Sequence, residues 1–296
     1  IYGGVGHIMF ELCNNMNREK VSFDFLYYQD ATDKEKEMIH ALGGEFYKVP
    51  RYSKEPITFC KAIKKFYKEH HYDVVHIHAS SAMLMMYAFP VWKDKKMHIV
   101  YQSHVDKIDG KGNQILHKFF QKYVNRYAEC KIAVSGIAAE FMYGQDEVKT
   151  TVLLKNGIEA RKFMFDENVR RRKRQDLDIT SKYVIGHIGR FSKQKNHSFL
   201  IDVFSAVYEK NKDAMLLMIG NGEDEVKIRE KVKELKLDKN VIFYGTSDNV
   251  TELLCVMDCF VFPSLWEGLG IVAIEAQANG LPVIASDRVP PEANIT

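Results

Sequence analysis

Glu267 and Glu275 stand eight positions apart in the run FPSLWEGLGIVAIEAQANGLPVIASD, which extends from Phe262 to Asp287. Gly268, Leu269 and Gly270 follow the first carboxylate, and an apolar helical pattern carries the second. Glycines at these places let backbone N–H groups approach a ligand closely, and a helix starting near Gly270 turns the positive end of its dipole to the same place. An anion is expected there. Gly280 and Pro282 stop the helix in the usual order before a short strand, Val283 to Ala285. Glu267 then lies in the loop at the helix mouth. Glu275 lies about one and a half turns in, where it touches only a ligand stretched along the helix flank, such as an extended molecule with an anionic middle. The plain alternative is a surface loop and an amphipathic helix with one solvated Glu.

Other residues offer related chemistry. Arg190 and Lys195, in GHIGRFSKQKN, come just beyond a strand end. Two cations over a helix N-terminus make a diphosphate clamp, Arg binding bidentately and Lys as a point charge, or else they are ordinary surface cations. His104 directly follows a strand, on a loop at the carboxyl end of the sheet, where open parallel sheets bind ligands. Gly3 and Gly4 make a glycine turn feeding a helix, a phosphate-approach geometry. FYGTSDNV, with Tyr244, Gly245 and Thr246, offers backbone after another strand. MLLMIGNGEDE carries a Gly-x-Gly, but a dinucleotide fingerprint needs a third Gly where Glu225 stands, which disfavours NAD or FAD. His76 and His78 point the same way along a strand, yet no carboxylate or Cys ligand follows nearby, and Cys255 and Cys259 lack a second pair of ligands; a metal site is disfavoured at both.

The elements that must position these groups alternate strictly. In the first half the strands are Val21 to Tyr28, Phe46 to Val49, Val74 to Ile77, Met97 to Tyr101 and Lys131 to Val134. Between them come helices over Lys34 to Leu42, Ile57 to Glu69 (with Ile57, Cys60, Ile63, Phe66 and Tyr67 inward) and Ile115 to Tyr127. The opening helix places Val5, Ile8, Met9, Leu12 and Met16 on one face, and Ser135 caps a short helix through Tyr143. Asn156-Gly157 is a turn signal followed by a charged segment, which marks the domain junction. In the second half strands Tyr183 to Ile188, Ala214 to Ile219, Val241 to Tyr244 and Cys259 to Phe262 alternate with helices Ser198 to Glu209, Glu223 to Leu235 and Val250 to Met257. Such alternation implies parallel sheets covered on both faces: an α/β protein of two Rossmann-like domains, 1–158 and 159–296, facing across a cleft that holds the ligand.

Composition narrows the partners. The chain has 296 residues, 46% of them hydrophobic, enough for two packed domains, and its net charge of +3 is too mild to imply nucleic acid. The run Arg170 to Arg174 is flanked by Asp166, Glu167, Asp176 and Asp178 and reads as the solvated face of a helix. Five scattered cysteines, Cys13, Cys60, Cys130, Cys255 and Cys259, read as free thiols in a reducing cytoplasm. No uncharged run approaches the ~20 residues of a spanning helix.

Glu267 and Glu275 with seven residues between them resemble the paired-glutamate motif of the retaining nucleotide-sugar glycosyltransferases of family 4, which have the two-domain GT-B fold. The similarity covers nearly the whole chain and points to the exopolysaccharide and capsule biosynthesis subgroup. It implies transfer of a sugar from a nucleotide diphosphate donor, UDP-linked, to a surface polysaccharide or lipid-linked oligosaccharide, with no divalent metal and no other cofactor. By the same resemblance Gly3 and Gly4 face the diphosphate, Arg190 and Lys195 bind it, and His104 lies close to the donor sugar. Glu267 orients the sugar hydroxyls together with the amides of Gly268, Leu269 and Gly270. Glu275 holds the ribose, and the residues from Tyr244 to Ser247 lie beside the base. The first domain would bind the acceptor and the second the donor. The family has a strand before the Gly-Gly turn and a further strand-and-helix region beyond Thr296, so the natural protein is expected to be longer. A lipid-linked acceptor implies a cytoplasmic enzyme in peripheral contact with the inner face of the plasma membrane, through the KAIKKFYKEHHY and HKFFQKYVNRY helices, unless their aromatics are core. Two rivals share the diphosphate site: a nucleotide-sugar 2-epimerase and a non-catalytic nucleotide-sugar-binding subunit.

Overall fold

The computed structural model describes residues 4–295, the His7 side chain apart. It divides into a unit ending at Asn156 and a second beginning at Gly157, within the Asn-Gly turn. In the first unit β1 (Phe25–Tyr27) pairs with β2 (Phe46–Lys48), and β3 (Val74–Ala79), β4 (His98–Ser103), β5 (Cys130–Ala133) and β6 (Val152–Leu153) form a separate sheet in that order, every pairing parallel. The helices are α1 (Gly4–Asn15), α2 (Asp33–Ala41), α3 (Pro56–Glu69), α4 (Lys111–Tyr127) and α5 (Gly136–Tyr143). Their starts are local chemistry. Thr32 and Glu35 close a capping box on α2, Pro56 opens α3, and the Ser135 hydroxyl accepts from Ala138 N on α5.

Two sheets stand where an unbroken alternation implied one, and β6 is an added strand. Packing connects them: Phe59 and Ile63 of α3 are fully buried with Val49 and Tyr87, and Leu26 of β1 packs on the same cluster. This rotation of α3 corrects one expectation. Ile57 is 73% exposed, because at about 100° per residue it lies on the far side of the helix from Phe59. The opening helix is also turned from its expected face. Among the described residues Phe10 and Cys13 are its buried side chains, Phe10 stacking at 5.6 Å on Phe25, while Val5, Ile8, Leu12 and Met16 stay half-exposed.

The second unit is one parallel sheet in the order β11-β10-β7-β8-β9, formed by β7 (Tyr183–Ile188), β8 (Ala214–Ile219), β9 (Val241–Gly245), β10 (Cys259–Phe262) and β11 (Val283–Ala285). The helices are α6 (Glu167–Asp176), α7 (His197–Lys210), α8 (Glu225–Glu234), α9 (Val250–Val256) and α10 (Ile271–Ala278). All six residues of β8, AMLLMI, are buried, as a central strand covered on both faces requires. Alternate residues feed two cores: Val184, Leu217, Phe260 and Phe262 lie with α9 and α10, and Ile185, Leu216, Met218 and Val261 lie with α7 and α8. Strand order reverses between β7 and β10, and a doubly wound sheet opens its crevice at the carboxyl ends of such a pair.

The arginine run corrects a second expectation. Arg171 and Arg172 are solvated, but Arg174 is 7% exposed and Arg170 half-buried, and both guanidiniums grip Asp258 at the entry to β10. Arg170 also donates to the carbonyls of Cys255 (3.0 Å) and Met257 (2.8 Å), and Arg174 to those of Val256 and Lys182, both at 3.0 Å. Burial alone would raise the Asp258 pKa; the Val184 amide at 2.7 Å and the two arginines outweigh it and hold the carboxyl below its ordinary range. An amphipathic pattern in which the buried side is charged gives composition no way to mark it. Removing Asp258 leaves both guanidiniums without their anion, so Asp258→Leu should lower the unfolding free energy by about 3 kcal/mol or more in urea titration. Arg171→Leu should stay within about 0.5 kcal/mol; equal effects would refute the clamp.

Candidate active site

The reversal between β7 and β10 brings two predicted residues together. Residues 189–196 leave β7 through a 3-10 turn at Lys193–Lys195, and residues 263–270 leave β10. Lys195 Nζ lies 2.6 Å from Glu267 Oε1, with both side chains largely buried, and 4.7 Å over the Phe262 ring. Three hydrogen bonds join the loops around this pair: Leu265 N to Gln194 O at 2.8 Å, Gln194 Nε2 to Trp266 O at 2.9 Å, and Asn196 Nδ2 to Pro263 O at 3.2 Å. Gln194 and Asn196 escaped the sequence reading because they bind backbone, which no spacing reveals.

Gly268, Leu269 and Gly270 are buried, and Gly270 is the N-cap of α10 at φ +85°. A Cβ there would lie 3.0 Å from the Phe262 ring, so a side chain at 270 would both strain the backbone and crowd that ring. Gly270 offers no side chain to cap α10, whose first amides face back along the chain toward the preceding loop. Glu275 sits in the second turn of α10, as its spacing required. Among the described residues no hydrogen bond or ion pair reaches its carboxyl, and burial pushes its pKa up to about 7. That is a half-buried acid poised at neutrality, not a solvated helix Glu.

Neighbouring strand ends complete the crevice. Arg190 is exposed and pairs with Glu223 at 2.9 Å. Its turn is backed by Gly220 and Gly222, where a Cβ would meet Gly189 O at 2.1 Å and Phe191 O at 2.3 Å. The Gly-x-Gly therefore serves close backbone packing beneath Arg190. At the end of β9 Tyr244 packs on the core cluster, while Gly245 takes φ +81° and Thr246 is exposed. Beneath Lys195 lie two buried imidazoles. His187 Nδ1 lies 2.9 Å from Val261 O, and the His197 ring stands 4.7 Å from it. Burial drives their pKa values down, His187 to about 3 and His197 to about 4, and the Lys195 charge acts in the same direction. The floor under the cation is neutral.

In the first unit His104 extends the β3–β4 ladder, its N–H donating to Ala79 O at 3.1 Å. The residue is 8% exposed, its Nε2 lies 2.9 Å from His78 Nδ1, and burial, then the nearby His76, depresses its pKa to about 4. His76 and His78 do share a face: their rings stack at 4.2 Å, with His76 Nε2 3.0 Å from Gln102 Oε1. Their partners are thus a second His and an amide. Gly4 opens α1, and Gly3 lies outside the described residues.

Residues 2–162 match the family model described as Glycosyltransferase Family 4, and residues 169–295 match that of Glycosyl transferases group 1. EpsF of Bacillus subtilis (strain 168), which carries a glycosyltransferase name, is 29% identical over 97% of this chain and 77% of its own length. An Escherichia coli protein named UDP-Gal:alpha-D-GlcNAc-diphosphoundecaprenol alpha-1,3-galactosyltransferase is 25% identical over 76% of this chain and 60% of its own. Among solved structures, Anabaena HepE in complex with UDP-glucose matches with a TM-score of 0.78 at 19% identity, over 98% of this chain and 78% of its own. That likeness is one of fold, the GT-B fold with two Rossmann-like units. With more than half its length matched by the family model, the chain belongs to glycosyltransferase family 4.

Proposed function

We propose that this chain is a retaining, metal-independent glycosyltransferase that moves a sugar from a UDP-sugar to a surface polysaccharide or its lipid-linked precursor. The observation that carries this reading is the Lys195–Glu267 contact at the strand reversal, beside the start of α10 at Gly270. A cation for a leaving diphosphate stands there against a carboxylate for sugar hydroxyls. HepE in crystals with UDP-glucose and the Escherichia coli relative's named donor and acceptor support the same reading. The unit beginning at Gly157 binds the donor, and the unit ending at Asn156 binds the acceptor and contributes His104.

In this reading the bond from the anomeric carbon to the β-phosphate oxygen breaks as the acceptor oxygen bonds to the same face, and the acceptor proton passes to a leaving phosphate oxygen. Charge gathers on the diphosphate. Arg190, Lys195, the α10 amides, Gly3 and Gly4 stabilise it, so no divalent cation is needed for that task. Arg190 must leave Glu223 to reach a phosphate, at little cost, because exposed pairs contribute about 0–1 kcal/mol. Glu267 and His104 meet the sugar, Glu275 the ribose, and the backbone around Tyr244, Gly245 and Thr246 the base.

A lipid-linked acceptor brings the chain to the inner face of the plasma membrane. Among the described residues no helix is long and apolar enough to cross a membrane. On α3 Phe59 and Ile63 are core, but α4 exposes Ile115 (70%), Leu116 and Phe119, with Lys122 Nζ 4.4 Å over the Phe119 ring. Trp92 extends this surface, stacking at 5.3 Å on Tyr123 and 5.0 Å on Tyr127. Cations among aromatics suit an anionic lipid surface. The chain should co-sediment with anionic liposomes at low salt, and a paired Ile115→Ser, Phe119→Ser variant should not; no binding by the unaltered chain would refute the contact.

The two glutamates should separate in steady-state transfer and in calorimetry. Glu267→Gln should lower kcat by on the order of 10²-fold while UDP affinity holds or rises, since it frees Lys195 from its anion. Glu275→Gln should weaken UDP and UDP-sugar alike by about tenfold. Ribose hydroxyls donate to the ionised Glu275 and so lower its pKa from about 7 on binding. Binding of UDP-glucose, whose diphosphate does not itself titrate near neutrality, should then release protons, and its affinity should rise as pH passes upward through 7. Calorimetry in two buffers of different ionisation heat measures the release, which Glu275→Gln should abolish. Wild-type activity and UDP affinity in both variants would overturn the placement of the site.

A further inference from the structure

Gln102, His76, His78 and His104 form a chain of neutral groups at the carboxyl ends of β3 and β4. The strands pair with His76 opposite Val100 and His78 opposite Gln102, and the Gln102 amide oxygen lies 3.0 Å from His76 Nε2. An amide oxygen only accepts, so His76 donates from Nε2. The His76 ring lies on that of His78 at 4.2 Å, and His78 Nδ1 lies 2.9 Å from His104 Nε2. One hydrogen bond between two neutral imidazoles holds one proton, so the tautomers of the two rings are coupled. If His78 donates, His104 must carry its own proton on Nδ1; if His104 donates, Nδ1 is a bare lone pair. His104 Nδ1 is buried and has no hydrogen-bond partner among the described residues. A buried N–H without an acceptor is the rarer and costlier orphan, which favours the second arrangement.

We infer that His78 is a positioning residue that holds His104 as its Nε2–H tautomer, so that His104 Nδ1 accepts a hydrogen bond from a hydroxyl of the transferred sugar. This rests on the reading of the chain as a sugar-nucleotide transferase with His104 at the donor sugar. Burial supports it by depressing the pKa of all three histidines, which keeps the Nδ1 lone pair available through neutral pH. A hydroxyl can donate to such a lone pair, whereas a deoxy position cannot, and a site built to bond a hydroxyl rejects the analogue that lacks it.

The test labels the full chain with 15N-histidine and reads ring nitrogens by NMR, with His104→Gln assigning the signal. The free protein should show His104 protonated at Nε2 and bare at Nδ1. His78→Asn, which keeps an acceptor oxygen near the place of Nδ1, should preserve that state, and His78→Leu should mix the two tautomers. In kinetics His78→Leu should lower kcat/KM for the sugar nucleotide about tenfold with UDP affinity unchanged, and His78→Asn should recover most of the loss. A proton on His104 Nδ1 in the unaltered chain overturns the inference, as does a His78→Leu variant with one tautomer and full kcat/KM. Absence of transfer from every sugar nucleotide would instead sink the functional reading, and the NMR of the free protein would still decide the tautomer. Should His78→Leu fail to fold, the unaltered chain and His78→Asn carry the test.

Discussion

The second unit depends on holding together two strands that the fold pulls apart. The β7–β10 ladder has two registered pairs, Cys259 with Ile185 and Phe260 with Gly186. After it the chain diverges, because α7 packs on one face of the sheet and α10 on the other. Polar backbone in a parting crevice must find partners or remain unsatisfied next to the core. His187 supplies the first, from Nδ1 to Val261 O, and the loops then bind each other through Gln194, Asn196 and Leu265. Lys195 meets Glu267 as a consequence of that stitching. The ion pair is the end of a series of backbone satisfactions, which fixes both groups in place.

Much of this was legible in the chain because strand and helix periods are local. The strands Ala214–Ile219, Cys259–Phe262 and Val283–Ala285 and the capping role of Ser135 follow directly from apolar runs, turn residues and a hydroxyl at the right place. What pattern could not supply was rotation and partnership. Ile57 and Phe59 are both good apolar candidates for α3, and only the arrival of Val49, Tyr87 and Leu26 decides for Phe59. The arginine run has the composition of a solvated face, yet its buried members answer to Asp258, more than eighty residues away. At the site, the family resemblance set Glu267, Glu275 and Lys195 around one ligand, but the direct Lys195–Glu267 bond and the coupling of His104 to His78 are long-range contacts. Neither leaves a mark on either sequence segment.

The two units use opposite electrostatic means. The second gathers fixed charge, Lys195, Arg190, Glu267 and the α10 dipole, over two histidines that burial keeps uncharged. Neutral imidazoles there matter, since a cation below Lys195 would compete for the same anion. The first unit offers three stacked, neutral histidines, which suit hydroxyl groups and not phosphate.

The arginine clamp and the loop stitch are joined by one short strand. Asp258 precedes β10 and is gripped by Arg170 and Arg174, with its Oδ2 also taking the amide of Val184 in β7. Five residues later the chain leaving β10 reaches Pro263, whose carbonyl takes the Asn196 amide, and then Glu267. β10 is thus tied to β7 at its entry by charge-assisted bonds and at its exit by the loops, with Phe260 and Phe262 fully buried between. A strand fixed at both ends cannot slip in register, and a slip of one residue would turn those aromatics to the other face. The charged helix α6, remote in sequence from Glu267, therefore helps to set where that carboxylate stands.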